Sequence, residues 1–261
     1  MTLVCIKRGD VCRYLLVRII RKQCLYEAWD WEISHREKVK LQREPVIQPT
    51  LFDEYHHVAI DREKAKKVMA SIYRKISWEA YTCVYYVMLA KQDTMMEIYE
   101  FLKYGFKNSN VMAHLAEPIV CRMMQIARNV QNELHSLREF VRFDGIGEQV
   151  YIAHIEPKHA ILSLLAEHFS DRMPSEDWML IDDGRKLAAV HSKNKSFYIR
   201  EMTEQEAERL AQSEQIADPY YPLWQTFFDT IAIEQRKNTK CQRNLFPNWR
   251  RKHVTEFRQK S

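Results

Sequence analysis

The spacing of apolar residues changes at Phe140, and this change limits the folds that the chain can adopt. Between residues 61 and 140 apolar side chains recur every three or four positions, as they do in amphipathic helices. Between residues 140 and 202 they form short strand-like runs that turn-forming residues separate, with one helix predicted to open at Pro157. This pattern predicts an α+β protein, mainly α, in which a helical bundle precedes a small antiparallel sheet with the order β-β-α-β-β-β.

Capping residues indicate where the helices of the bundle begin and end. Ser77 is placed to cap the second helix, because its side chain can accept a hydrogen bond from the first helical turn. The third helix is predicted to start at Asp93 and to stop at Gly105, and Pro118 opens a long fourth helix. The connections between these helices are short, which is typical of helices that pack against their neighbours along the chain.

The two ends of the chain differ from this central part. Residues 1–60 contain two predicted short strands, TLVCI and VKLQREPVI, and a helical stretch YEAWDWE, without a continuous pattern. Residues 203–261 begin with a capping box of Thr203 and Glu206 and hold C-terminal helices followed by a basic tail. The chain is therefore expected to form one or two packed domains from the segments 1–60, 61–140, 140–202 and 203–261.

Glycine and cysteine usage excludes several kinds of cofactor site. Five glycines in 261 residues include no G-x-G-x-x-G and no G-x-x-x-x-G-K-[ST] loop, so no backbone cradle for a nucleotide's phosphates is predicted. The six cysteines form no C-x-x-C pair, which argues against a zinc ribbon or an iron–sulfur cluster and indicates reduced thiols. We therefore expect no cofactor and no bound metal.

Hydropathy indicates where the protein resides. The most apolar stretch, YLLVRII at 14–20, is short and is broken by Arg18, so no transmembrane helix is expected. Arg21 and Lys22 follow this stretch at the place where a signal peptide would carry small residues. The expected location is the cytoplasm, and no membrane partner is predicted.

Basic residues concentrate at both ends of the chain. The net charge is +5, yet residues 1–22 carry +5 and residues 234–261 carry +7, which leaves −7 on the middle. This distribution favours a polyanionic partner. Cations that can neutralise phosphates accompany a tryptophan that can stack on a base, which predicts DNA binding by Arg236, Lys237, Lys240, Arg243, Trp249, Arg250, Arg251 and Lys252. The alternative is a solvated helix end on which Phe246 and Trp249 pack back against the bundle.

The segment QPTLF at 48–52 resembles the short peptide by which bacterial replication and repair proteins dock on the DNA sliding clamp. An extended strand could place Leu51 and Phe52 in an apolar pocket while the amide of Gln48 bonds to the rim. The alternative is a buried strand. The clamp is accordingly a second predicted partner.

Titratable residues between 154 and 172 offer a catalytic alternative, with His154, Glu156, His159, His168, Asp171 and Arg172. The candidates for acid, base or ligand among them are Glu156, His159, His168 and Asp171. His159 and His168 are nine residues apart on one predicted helix, about 14 Å of helix rise, so both cannot bind one metal. The sequence DDGR at 182–185 has paired carboxylates, but a D-G hairpin turn explains it without chemistry.

Three long stretches, EFVRF (139–143), residues 151–178 and residues 223–247, resemble a bacterial domain-of-unknown-function family. Its members are assigned to DNA repair or DNA metabolism, and the resemblance spans most of residues 45–257. It implies a radical-SAM DNA repair protein as partner, and in some bacteria the domain is fused to a uracil-DNA-glycosylase-like domain. Residues 5–24 depart from the family, because they are basic where an acidic, glycine-containing segment is expected.

The chain itself has no C-x-x-x-C-x-x-C run for a radical-SAM cluster and no glycine- and proline-rich water-activating loop of a uracil-DNA glycosylase. We therefore expect a DNA-binding accessory protein, without activity of its own, whose partner carries out the chemistry. One alternative is a DNA glycosylase or nuclease that uses the 154–172 cluster. Another is a scaffold that links the partner to the sliding clamp.

Overall fold

The computed structural model describes residues 2–6, 39–43, 54–57, 62–108, 110–146 and 150–203, together with positions 25, 27–29, 32, 206 and 230. The chain divides into two compact units, each described by itself. Unit 1 comprises residues 1–132 with 158–160, and unit 2 comprises residues 133–157 with 161–261. No described helix is both long enough and apolar enough to cross a membrane.

Unit 1 contains a three-stranded sheet formed by β1 (Thr2–Ile6), β2 (Val39–Arg43) and β3 (Glu54–His57). The order is β2-β1-β3, and β1 pairs in parallel with both neighbours. The strands predicted at TLVCI and at the start of VKLQREPVI are confirmed, whereas β3 was not predicted. The helical stretch YEAWDWE is confirmed at its described positions 27–29 and 32, and Leu25 before it is helical as well.

The helices of unit 1 form the predicted bundle: α1 (Arg62–Lys75), α2 (Trp78–Met88), α3 (Met95–Lys107), a 3₁₀ turn (Val111–Ala113) and α4 (Pro118–Phe140), whose last eight residues belong to unit 2. Each helix turns an apolar stripe inward. The core between them is built from fully buried side chains, among them Ile72, Val84, Val87, Ile98, Phe101, Val120 and Met123.

Gly105 does not end α3, contrary to the prediction. The helix starts at Met95 after Thr94, passes through Gly105 and ends at Lys107. Gly105 is buried, and a Cβ atom placed on it would lie 3.1 Å from Cδ1 of Ile76. The missing side chain of Gly105 therefore lets Ile76 pack closely against α3, and Gly105 does not form a left-handed helix end.

Unit 2 contains a five-stranded sheet with one helix: β4 (Asp144–Ile146), β5 (Val150–Ile155), α5 (Leu162–Arg172), β6 (Asp177–Asp182), β7 (Leu187–His191) and β8 (Tyr198–Glu201). The strand order is β4-β5-β6-β7-β8. The predicted α+β class, the helical majority and the order β-β-α-β-β-β are confirmed. The capping box is confirmed too, because the backbone N–H of Glu206 donates to Oγ1 of Thr203 at 3.3 Å and that of Thr203 donates to Oε2 of Glu206 at 3.0 Å.

The sheet of unit 2 is mixed, so the prediction of an antiparallel sheet is wrong for one pair. β5 and β6 run parallel, with Val150 opposite Asp177, while the other three pairs are antiparallel. The reason is the crossover through α5, which returns the chain to the end at which β5 began. The parallel pair brings the ends of β5 and β6 to the same edge of the sheet.

Candidate nucleic-acid interface

Two of the predicted sites lie outside the described residues. The basic tail, from Arg236 to Lys252, is one of them, and the clamp-binding segment with Gln48, Leu51 and Phe52 is the other. Both stay predictions.

The helix predicted from Pro157 begins five residues later, at Leu162. The backbone groups that would build its first turn are engaged elsewhere. The carbonyl of Pro157 accepts a hydrogen bond from Nη1 of Arg185 at 2.9 Å, and the N–H of Ala160 donates to the carbonyl of Leu89 at 2.8 Å. His159 and His168 therefore do not share a helix, contrary to the prediction.

The structure distributes the candidate catalytic residues over two units. His159 belongs to unit 1, where its Nδ1 accepts a hydrogen bond from the backbone N–H of Lys91 at 3.2 Å. Glu156, His168 and Asp171 belong to unit 2, the last two on α5. Within the described ranges no three histidine, cysteine or acidic side chains converge as a metal site requires.

The parallel strands bring His154 to Asp183. Nδ1 of His154 lies 3.0 Å from Oδ1 and 3.2 Å from Oδ2 of Asp183. The N–H of Asp183 donates to the carbonyl of Ile155 at 3.0 Å, which continues the ladder beyond β6. The Nε2 atom of His154 is buried, so a substrate cannot reach it in this arrangement. The contact joins the ends of two strands.

Next to this pair, the DDGR sequence forms the predicted turn between β6 and β7. Asp182 is fully buried, and its carboxylate accepts hydrogen bonds from Nη1 of Arg185 at 3.0 Å and from the backbone N–H of Arg185 at 3.1 Å. Burial raises the pKa of Asp182, while Arg185 opposes that rise. A Cβ atom on Gly184 would lie 3.7 Å from Cγ of Glu156. The turn is thus a packed structural element held by an ion pair.

The surroundings of His168 lower its pKa and so favour its neutral form. Burial lowers its pKa first, and the positive charges of Arg138 and Arg172 lower it further, while Asp171 acts in the opposite direction. Its ring lies 5.1 Å from that of Phe169, centroid to centroid. This half-buried position is that of a packed histidine on α5.

Three aromatic side chains where α1 meets α2 form a cluster, the aromatic patch, made of the exposed Tyr73 and Trp78 and the half-buried Tyr81. Trp78 and Tyr81 stack, with ring centroids 5.3 Å apart and an angle of 12° between the planes. Tyr73 meets both rings edge to face, with centroids 5.8 Å from Trp78 and 6.4 Å from Tyr81. Trp78 is 59% exposed and Tyr73 is 54% exposed, so large apolar rings lie in solvent.

A tight connection between α1 and α2 positions the patch. Only two residues separate the helices, and Oγ of Ser77 accepts a hydrogen bond from the N–H of Ala80 at 3.1 Å, which confirms the predicted cap. Tyr73 is in the last turn of α1, while Trp78 and Tyr81 are three residues apart at the start of α2. Residues at this spacing lie on one face of a helix.

Basic side chains adjoin the patch. Arg74 and Lys75 directly follow Tyr73 and are both exposed. Glu79, beside Trp78, is exposed as well, and hydrogen bonds from its own backbone N–H and from Ser77 lower its pKa. Cations beside exposed aromatic rings are the combination that single-stranded nucleic acids bind.

The patch was not predicted from the sequence. Its signal was the placement of aromatic residues away from the apolar stripe of α2, whose buried members are Ala80, Cys83, Val84, Val87 and Met88. Trp78 and Tyr81 fall between these positions, next to an Arg-Lys pair. A helix drawn as a wheel would have shown them on the solvent side.

Comparison with known proteins gives one match. The family model of a domain of unknown function, DUF4130, matches residues 92–256, well over half of the chain. No curated protein and no solved structure matches. The matched segment contains α3, α4, unit 2 from its first residue and the basic tail up to residue 256, whereas the aromatic patch precedes it.

Proposed function

Because the chain belongs to the DUF4130 family, whose function is unknown, we propose a function from its own residues: it is a DNA-binding accessory protein of a DNA repair or DNA metabolism system. Its aromatic patch binds single-stranded DNA, and its basic tail contacts the phosphates. The observation that carries this proposal is the cluster of the exposed Tyr73 and Trp78 with Tyr81, which Arg74 and Lys75 neighbour in the sequence.

The patch suits single strands for a physical reason. In a duplex the base faces are stacked on each other, so an exposed ring has nothing to stack on. In a single strand each base offers a free face, and the stacking of one base on an aromatic side chain contributes about 1–3 kcal/mol. Arg74 and Lys75 supply positive charge for the phosphates. The affinity that this charge contributes falls as the salt concentration rises.

The chemistry of the system is assigned to a partner. The resemblance implies a radical-SAM DNA repair protein, and the chain has no C-x-x-x-C-x-x-C run of its own. We therefore propose that this protein presents the DNA strand and that the partner modifies or repairs it. Co-purification of the two proteins from a strain that expresses both tests this part, and it fails if they elute separately with and without single-stranded DNA.

DNA binding is tested with labelled single- and double-stranded oligonucleotides of the same sequence, by fluorescence anisotropy. The decisive variant is Trp78→Ala, and Tyr198→Ala is the matched control because Tyr198 is 56% exposed on β8 of unit 2. Loss of one stacked base predicts about 5- to 150-fold weaker binding of the single strand. Binding of the duplex should change much less, and Trp78→Phe should retain most of the affinity.

The contribution of the tail is tested by the triple substitution Arg250→Ala, Arg251→Ala and Lys252→Ala across a salt series. Removal of phosphate contacts should weaken binding to all sequences alike and flatten the dependence of log K on log salt. A wild-type affinity that does not change with salt contradicts DNA binding through phosphates. Equal losses in Trp78→Ala and Tyr198→Ala contradict the assignment of stacking to the patch.

A further inference from the structure

Unit 1 contains a pocket of about 250 Å³ between α1, α3 and residues 25–29. The rings of Trp29, Tyr99 and Phe106 line it together with Leu25 and Leu102, and α1 contributes Lys67, Val68, Ser71 and Lys75. None of the lining residues within the described part of the chain is acidic.

The aromatic rings are held in place by a contact between two of them and by contacts of Tyr99 with residues that do not line the pocket. Trp29 and Phe106 meet edge to face, with ring centroids 5.1 Å apart. The hydroxyl of Tyr99 contacts the carbonyl of Ala28 at 3.3 Å and hydrogen-bonds to the carboxylate of Glu32. Walls fixed in this way lose little entropy when a ligand enters, which favours binding.

Glu32 also pairs with Lys103, a cation that does not line the pocket. It accepts a hydrogen bond from Nζ of Lys103, which also lies 5.5 Å from the centroid of the Tyr99 ring. Lys67 and Lys75, by contrast, are exposed and line the pocket. They are eight residues apart on α1, or about 12 Å of helix rise, with Ser71 midway.

We infer that this pocket binds one nucleotide, with the base against the aromatic rings and the phosphate at Lys67 or Lys75. The volume lies below the range of about 300–1,000 Å³ for drug-sized ligands, so it suits a single base better than a larger cofactor. The two lysines of the lining favour an anion, and the aromatic rings favour a flat heterocycle. Nucleotides combine both properties.

The choice of a DNA nucleotide rests on the proposed function. Lys75 lines the pocket and lies in the same last turn of α1 as Tyr73 of the aromatic patch. Two positions along a helix correspond to about 200° of rotation, so Tyr73 and Lys75 are on different faces of α1, and a strand reaches both sites only by passing around the end of that helix. In this arrangement the patch holds the strand without regard to sequence, while the pocket selects one base.

Binding is tested by calorimetry on the full chain with the four 2′-deoxynucleoside 5′-monophosphates, and with inorganic phosphate as the comparison. The charge variant is Lys67→Gln combined with Lys75→Gln. The control is Lys66→Gln, since Lys66 is on the same helix, is 74% exposed, pairs with Glu63 and does not line the pocket. We expect at least one mononucleotide to bind more tightly than phosphate, with a loss of about tenfold or more in the charge variant and no change in the control.

A second variant, Ser71→Phe, fills the pocket without changing its charge and should abolish mononucleotide binding. Circular dichroism verifies that each variant is folded, and the surface lysine variants keep the test valid if Ser71→Phe does not fold. The inference is wrong if no mononucleotide binds better than phosphate, or if the charge variant binds mononucleotides like the wild type.

The same variants separate this inference from the proposed function. If Trp78→Ala leaves single-strand binding unchanged while the charge variant loses mononucleotides, the pocket stands and the role of the patch fails. If the charge variant loses mononucleotides yet binds oligonucleotides as before, the pocket takes free nucleotides instead of a strand. If it loses both, with Lys66→Gln unchanged, the nucleotide comes from the strand.

Discussion

Substitution of Arg185 by methionine should destabilise unit 2 strongly. Nη1 of Arg185 donates to Oδ2 of Asp182 at 3.0 Å, and Asp182 is fully buried. Methionine keeps the aliphatic body of the side chain but removes the charge, so the buried carboxylate retains only the backbone N–H of Arg185, at 3.1 Å. Breaking a buried pair in this way costs about 3–5 kcal/mol, because one charge is left uncompensated.

The loss should depend on pH. Burial raises the pKa of Asp182, and Arg185 partly opposes that rise, so the pKa of Asp182 is higher still in Arg185→Met. A carboxyl group whose pKa is raised in the folded state contributes most to stability below its unfolded pKa of about 3.9. That contribution is lost as pH rises through the folded pKa. The difference between variant and wild type should therefore be larger at pH 8 than at pH 5.

A second substitution decides whether the buried charge is the cause. Asp182→Asn removes that charge, whereas the bond from Arg185 to the carbonyl of Pro157 is already lost in Arg185→Met and stays lost. Adding Asp182→Asn to Arg185→Met should therefore recover part of the lost stability. Urea denaturation followed by far-UV circular dichroism measures this, with equal m-values as the requirement for comparing midpoints. A double variant less stable than Arg185→Met, or a loss independent of pH, refutes the reasoning.

Three further predictions concern single positions. Burial raises the pKa of Cys83 to about 12, whereas Cys121 is exposed, so a maleimide should label Cys121 and spare Cys83 in the folded protein, as peptide mass mapping would reveal. The lowered pKa of His168 means that its contribution to stability is present above about pH 6.5 and is lost as pH falls through its folded pKa; NMR titration should find it below the usual histidine value, and a normal value contradicts this. Gly105→Val should lower the free energy of unfolding by about 1–3 kcal/mol in urea denaturation, because even a Cβ atom would lie 3.1 Å from Cδ1 of Ile76, and unchanged stability would contradict the close packing.

Local features of the fold could be predicted from the sequence because their causes are local. The cap at Ser77 and the box of Thr203 and Glu206 require only residues within one helical turn. The start of α5 could not be predicted in the same way. Pro157 at a helix start is a favourable pattern, but a hydrogen bond from Arg185, 28 residues away, engages its carbonyl.

Strand direction and the candidate site also depend on distant residues. Alternating apolar residues mark a strand whichever way its neighbour runs, so the strands alone did not indicate that β5 and β6 are parallel; the signal was the predicted helix between them, which serves as the crossover. The contact of His154 with Asp183 follows from that pairing. The sequence predicts that Trp78 and Tyr81 lie on a helix. How far each is exposed depends on which face of α2 packs inward.

The all-parallel sheet of unit 1 has a consequence for the synthesis of the chain. Its middle strand, β1, is made first, and its two neighbours end about 40 and 50 residues later, at Arg43 and His57. At about 5–20 residues per second, both edges of β1 wait between about 2 and 10 s for their partners on the ribosome. While it waits, the middle strand of this sheet can mispair with other nascent chains. We expect chaperones to be needed at this stage of synthesis.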